Sequence, residues 1–170
     1  MLGPSRFIYV ASFILLGPAL AANLFRMTFI PPVQIKAAGG FVANNPDGTG
    51  SVTEHARNTL GNEDPWISTT SSKKFAQSGA TSPSDAYVYE IIPRGPGNGE
   101  IKDVQKEFDK IGEENPHPEE KEFSIKGHIP WGNIVGWEKW TRSKYAKTVN
   151  RQDYDADPAG NSKREIPFIA

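Results

Sequence analysis

Residues 115–137 read Asn-Pro-His-Pro-Glu-Glu-Lys-Glu-Phe-Ser-Ile-Lys-Gly-His-Ile-Pro-Trp-Gly-Asn-Ile-Val-Gly-Trp, and the fold turns on how this stretch is placed. Pro116 and Pro118 punctuate a turn that delivers Glu120, Lys121 and Glu122. A short apolar-alternating run follows, then the turn Gly127-His128-Ile129-Pro130, then a second apolar run, Ile134 to Trp137. In an extended segment side chains alternate between faces, so Glu120 and Glu122 are expected on one face with Lys121 on the other. Two carboxylates about 7 Å apart along a strand repel unless each has a partner or a task.

The chain has 170 residues, enough for one domain with a core. Its formal net charge of −1 provides no basic field for nucleic acid, and the absence of cysteine removes disulfides and thiolate metal sites. Sixteen glycines and 14 prolines indicate short elements joined by many turns, as in an α+β domain. Residues 1–21 carry one charge, Arg6, an apolar run from Phe7 to Leu16, and the small-x-small pattern Ala19-Leu20-Ala21. This is the pattern of a secretory signal peptide; Gly17-Pro18 and the short run argue against a membrane anchor. A secreted, extracellular protein without a membrane span after cleavage is the expectation, with residues 22–149 forming the domain and 150–170 a polar, extended C-terminal tail.

Along the chain, Asn23–Ile30 is strand-like and contains Arg26, which by itself reads as an edge-strand charge. Val33–Ala38 predicts two helical turns. Ser51 and Glu54 form a Ser-x-x-Glu capping box before a short helix carrying His55, by itself a surface or packing histidine. Trp66–Ser71 predicts a strand rich in hydroxyls, Lys73–Gln77 a helix capped by Ser71 or Ser72, and Ala86–Ile92 a further strand. Apolar residues at 101, 104, 108 and 111 predict a helix over Ile101–Ile111. Glu138–Thr148 predicts a final strand and partial helix. The histidines lack metal-ligand spacing, and no metal is expected.

The order of these features resembles the cholera-toxin and heat-labile-enterotoxin class of ADP-ribosyltransferases. The residues that carry the resemblance are Leu24-Phe25-Arg26 with Pro31-Pro32 and Gly39-Gly40, His55-Ala56-Arg57, Trp66-Ile67-Ser68-Thr69-Thr70, Asn115-Pro116-His117-Pro118, Glu120-Lys121-Glu122, Ile129-Pro130 and Gly136-Trp137. The resemblance implies an ADP-ribosyltransferase fold, with two packed small antiparallel or mixed sheets forming an NAD cleft between short helices. It implies transfer of ADP-ribose from NAD, as co-substrate, to an arginine of a host protein. The implied catalytic residues are Glu122, Glu120 and Ser68; the implied NAD-binding residues are Arg26, His55, Ser68, Thr69 and Thr70. NAD hydrolysis and an inactive binding homologue are the alternatives. Thr70 stands where the family pattern has serine, Thr28 where the toxins carry aspartate, and Trp131 where a smaller aromatic is usual. The segment between His55 and Ser68 is shorter than in the toxins. With no cysteine pair and no long helical segment after residue 150, docking to a B-subunit ring is not expected; a stand-alone secreted toxin or effector is.

Overall fold

The computed structural model describes residues 22–157; the expected signal peptide and residues 158–170 of the expected tail lie outside them. Nine strands and five α-helices follow in the order β1 (Leu24–Thr28), α1 (Pro32–Ala37), β2 (Gly40–Val42), α2 (Val52–Ala56), β3 (Trp66–Thr70), α3 (Lys73–Ser78), β4 (Asp85–Ile91), β5 (Ile101–Asp103), α4 (Val104–Ile111), β6 (Glu122–Lys126), β7 (His128–Pro130), β8 (Ile134–Thr141), β9 (Lys144–Asn150) and α5 (Arg151–Ala156). Seven strands form one sheet in the order β5-β6-β3-β1-β4-β8-β9, and β2 pairs with β7 in a second sheet. Their pairings are antiparallel.

The large sheet is nearly two sheets. β1 pairs with β4 over five register positions, but meets β3 only where Phe25 lies opposite Thr70. Beyond that pair the two strands diverge, and a notch opens between the halves. The largest core cluster fills one side of the sheet: Leu24, Ile67, Tyr87, Tyr89, Ile91 and Ile125 face Phe41 of β2 and Ile129 of β7. A second cluster packs Ala76 of α3, with Ala80, on Ala86 and Val88 of β4, with Phe25 and Met27 of β1 alongside. A third packs α2 and α4 on Trp66 through Val52, Val104 and Phe108.

β2 lies so close to β7 that only glycine fits at position 40. Its φ is +137°, and a Cβ there would come within 2.0 Å of the Ile129 carbonyl oxygen. The predicted N-terminal caps form: Ser51 and Glu54 close the capping box on α2 and Ser72 caps α3. Gly112 ends α4 in the left-handed conformation.

Several expectations are corrected. Glu120 ends a 3-10 turn (Pro118–Glu120) and Lys121 is left-handed at φ 48°, so Glu120 and Glu122 do not share an extended strand. The amphipathic stripe at 101–111 is part strand: residues 101–103 pair with β6, and Asp103 caps a helix that starts at Val104. Residues 128–130 of the expected turn form β7, while Gly127 supplies the turn at φ 74°. The expected partial helix near Thr148 is instead the second strand of a β8–β9 hairpin, turned by Arg142 and Ser143 at φ 51° and 62°.

Residues 151–156, expected as extended tail, are helical, with Asn150 as cap. Buried Tyr154 stands edge-on to Trp137 at 5.0 Å and lies 6.1 Å from Trp131. Asp155 accepts from the Trp131 indole, pairs with Lys36 at 2.7 Å and with Arg151 at 2.8 Å. Truncating a buried aromatic side chain costs about 3 kcal/mol or more. Tyr154→Ala should therefore lower unfolding free energy by about 3 kcal/mol in a urea titration; a detached tail would give no change.

Candidate active site

The site lies in the notch between β1 and β3. Its cavity, about 260 Å³, is lined by Phe25 and Arg26 of β1, Ser68 and Thr70 of β3, Phe75 of α3 and its cap Gly79, and both Glu120 and Glu122.

Strand register sets one side. Ser68 is opposite Ser124 and Thr70 is opposite Glu122 in the β3–β6 ladder, so hydroxyls and one carboxylate share a face. Glu122 is buried at 8% exposure, and Ser124 is fully buried. The Ser124 hydroxyl donates to Glu122 Oε1 over 2.8 Å. α2 brings His55 over the same face. Its Nε2 lies 2.8 Å from Ser68 Oγ and 3.1 Å from Glu122 Oε1, while its Nδ1 lies 2.6 Å from Asp64 Oδ2. Asp64 also accepts from the Trp66 backbone N–H at 3.0 Å, which fixes it at the head of β3.

Asp64, His55 and Ser68 have the connectivity of a nucleophilic serine triad. The surroundings are different. Burial pushes the His55 pKa down, but hydrogen bonds to Glu122 and Asp64 outweigh it and hold the value above the ordinary range. Nε2 also meets a carboxylate, Glu122, which favours a proton on that nitrogen and opposes its acting as a base toward Ser68. His55 is thus placed as a partner of Glu122. Burial pushes the Glu122 carboxyl up, yet the bonds from His55, Ser124 and Ser68 bring it below the usual carboxylate range. Glu120 moves the other way: burial first, then the charge on Glu122, push its pKa up. Two nearby carboxylates with pKa values driven apart are suited to different tasks.

Arg26 reaches across the notch. Its guanidinium donates to the Ser68 carbonyl at 2.6 Å and stands 5.6 Å from the centre of the Phe41 ring. Burial lowers its pKa and Glu122 opposes that shift; an arginine so placed stays cationic. Its Nε is buried and lacks a hydrogen-bond partner, a donor for which an anionic ligand would account.

The threonines are bonded within the protein. Thr69 Oγ1 donates to the Phe123 carbonyl, and Thr70 Oγ1 to the Glu120 carbonyl. Among the described residues, His117, Glu119 and Glu120 bring three potential metal-ligating atoms within 4.8 Å of one another, with His117 and Glu119 exposed.

The structure thus gathers Arg26, His55, Ser68, Thr69, Thr70, Glu120 and Glu122 about one notch, and adds two residues that sequence reasoning missed. Ser124 was signalled by the period of two from Glu122 in a strand. Asp64 carried no comparable signal, lying in a loop whose path only the fold reveals.

The fold is that of the ADP-ribosyltransferase toxins. A solved guanine-specific ADP-ribosyltransferase superposes with a TM-score of 0.59 over 76% of each chain at 20% identity. The chain belongs to the heat-labile enterotoxin alpha chain family, whose model matches residues 6–163. It is 33% identical over 144 residues to the heat-labile enterotoxin A chain of Escherichia coli, covering 74% of this chain and 53% of the relative. It is 27% identical over 162 residues to an NAD(+)–arginine ADP-ribosyltransferase, Chelt, of Vibrio cholerae, covering 85% of this chain and 26% of the relative. The chain therefore spans about half the length of the first of these and a quarter of the second.

The His55 linkage has a definite sign. Because its folded pKa is raised, its contribution to stability is fully present below the ordinary value of 6.5 and is lost as pH rises through the folded value. Asp64→Asn, which removes one of the two carboxylates, should depress the melting temperature more at pH 6 than at pH 9. Equal depression at both pH values would mean that Asp64 does not act through the His55 charge.

Proposed function

We propose that this protein transfers ADP-ribose from NAD to an arginine side chain of another protein, releasing nicotinamide. The observation that carries the reading is Glu122: a carboxylate held ionised by His55, Ser124 and Ser68, buried in a cleft whose other wall presents Arg26. Membership of the enterotoxin family, and the likeness to an enzyme named for NAD and arginine, support the same class of chemistry.

The chemistry assigns each group a role. Breaking the bond between ribose C1′ and the nicotinamide nitrogen lets nicotinamide depart with the bonding pair, and positive charge develops at C1′. Glu122, fixed before the reaction, accepts a hydrogen bond from a ribose hydroxyl and stabilises that charge. Ser68, His55 and Ser124 hold it there. Arg26, with its unpartnered Nε, offers a donor to the NAD pyrophosphate. Glu120, less buried and with its pKa raised, meets the incoming guanidinium, orients a nitrogen toward C1′ and takes the proton released as the new C–N bond forms. Water at the same position gives NAD hydrolysis instead, which the half-exposed Glu120 permits.

The acceptor is a host protein in this reading, and secretion through the residue 1–21 leader brings the enzyme to it. Labelled NAD incubated with and without agmatine, an arginine mimic, tests the proposal. Label on agmatine is expected; free ADP-ribose alone would overturn arginine transfer, and no turnover by folded protein would overturn enzymatic function. Glu122→Ala should lower both transfer and hydrolysis by about 10²-fold or more, the scale for loss of a preorganised charge contact. Glu120→Ala should reduce transfer far more than hydrolysis.

A further inference from the structure

The two carboxylates of the site are held by different means. Glu122 is in the β3–β6 ladder, so strand pairing fixes its backbone, directly opposite Thr70. Glu120 lies outside the ladder. It is the last residue of a 3-10 turn, followed by Lys121 in the left-handed conformation, which costs energy for a residue with a Cβ. Within the turn, Glu120 is secured by its N–H to the His117 carbonyl at 3.2 Å. Its own carbonyl stands at a helical end, where no further turn supplies a donor.

That carbonyl is met by Thr70. The hydroxyl donates to it over 2.6 Å and accepts from the Ser72 N–H at 2.9 Å. The hydroxyl is thus bonded on both sides, between the end of β3 and the turn that carries Glu120. Ser71 continues the seam: its N–H donates to the Lys121 carbonyl at 3.2 Å. Thr70 is buried at 6% exposure, so water does not stand ready to replace its hydroxyl.

We infer that Thr70 is the positioning residue for Glu120, and that its hydroxyl sets how the enzyme divides ADP-ribose between a protein acceptor and water. This inference rests on the transfer reading above. The division follows from the geometry. Glu122 acts on the ribose and keeps its place through the ladder whether or not the Thr70 hydroxyl is present. Glu120 acts on the nucleophile, and a guanidinium must be aimed at C1′ more strictly than a small, freely turning water. Loosening the turn therefore penalises transfer before hydrolysis. The methyl group that distinguishes threonine from serine restricts χ1 and helps to hold the hydroxyl in its two-sided bond.

The test compares Thr70→Val, which keeps the shape and removes the hydroxyl, with Thr70→Ser, which keeps the hydroxyl. Two readouts are needed. The first is the ratio of ADP-ribosyl-agmatine to free ADP-ribose from labelled NAD. It should fall at least about fivefold in Thr70→Val and stay within about twofold of the parent in Thr70→Ser, a displacement of the catalytic group being worth far more than that. The second is amide hydrogen exchange over residues 117–123, which requires no acceptor. Exchange should quicken in Thr70→Val and not in Thr70→Ser. Unchanged exchange in a folded Thr70→Val protein overturns the pin itself. Quickened exchange with an unchanged ratio, or with equal losses of transfer and hydrolysis, overturns its control of partition. A parent protein that never labels agmatine contradicts arginine transfer and with it the partition claim, while the exchange arm still decides the pin.

Discussion

The structure depends on an interruption. β1 and β3 are neighbours in a seven-stranded sheet, yet they pair at only one position, Phe25 with Thr70. Strand edges left unpaired inside a protein must find other partners, because buried backbone groups without hydrogen bonds are costly. Arg26 meets that demand in part: its guanidinium crosses the gap and takes the Ser68 carbonyl. The sheet is thereby held together and held open by the same side chain. Every other feature of the site is arranged around that opening, with α3 on one side, α2 delivering His55, and the turn at Pro118–Glu120 delivering the second acid.

Within the notch, the arrangement solves the problem of two carboxylates close together. Glu122 is given a cation and hydroxyl donors; Glu120 is left beside a charge it must resist. Asp64 belongs to this balance, since a second carboxylate on the far side of the imidazole raises the ring's pKa against the effect of its burial. The hydroxyls of Thr69, Thr70 and Ser124 secure the backbone and side chains from which the acids project.

Much of this was legible in sequence order. The capping box at Ser51–Glu54 marked the helix that carries His55, and Trp66–Thr70 and the 86–92 run read as strands from their β-branched and aromatic content. The resemblance placed Arg26, Ser68, Glu120 and Glu122 in one site, and the fold brings them together. What was not legible depended on distant partners. The apolar stripe at 101–111 satisfied a helical period, but its first residues are a strand because β6 offers them a ladder. The Glu-Lys-Glu segment looked extended until the left-handed Lys121 broke it. α5 has an almost wholly polar sequence, and it is the distant partners of Tyr154 and Asp155 that hold it as a helix: the rings of Trp131 and Trp137, and Lys36. Asp64 showed nothing in sequence, because its partner His55 reaches it only through the closure of a loop.

We propose that NAD binds in the gap between β1 and β3, with Arg26 as its anion contact. Observing the Arg26 Nε–H resonance while NAD is titrated into the inactive Glu122→Gln protein tests this most directly. The account predicts that this resonance shifts with the NAD concentration, together with the amides of Ser68 and Thr70. Saturable NAD binding that leaves those signals unmoved would contradict it.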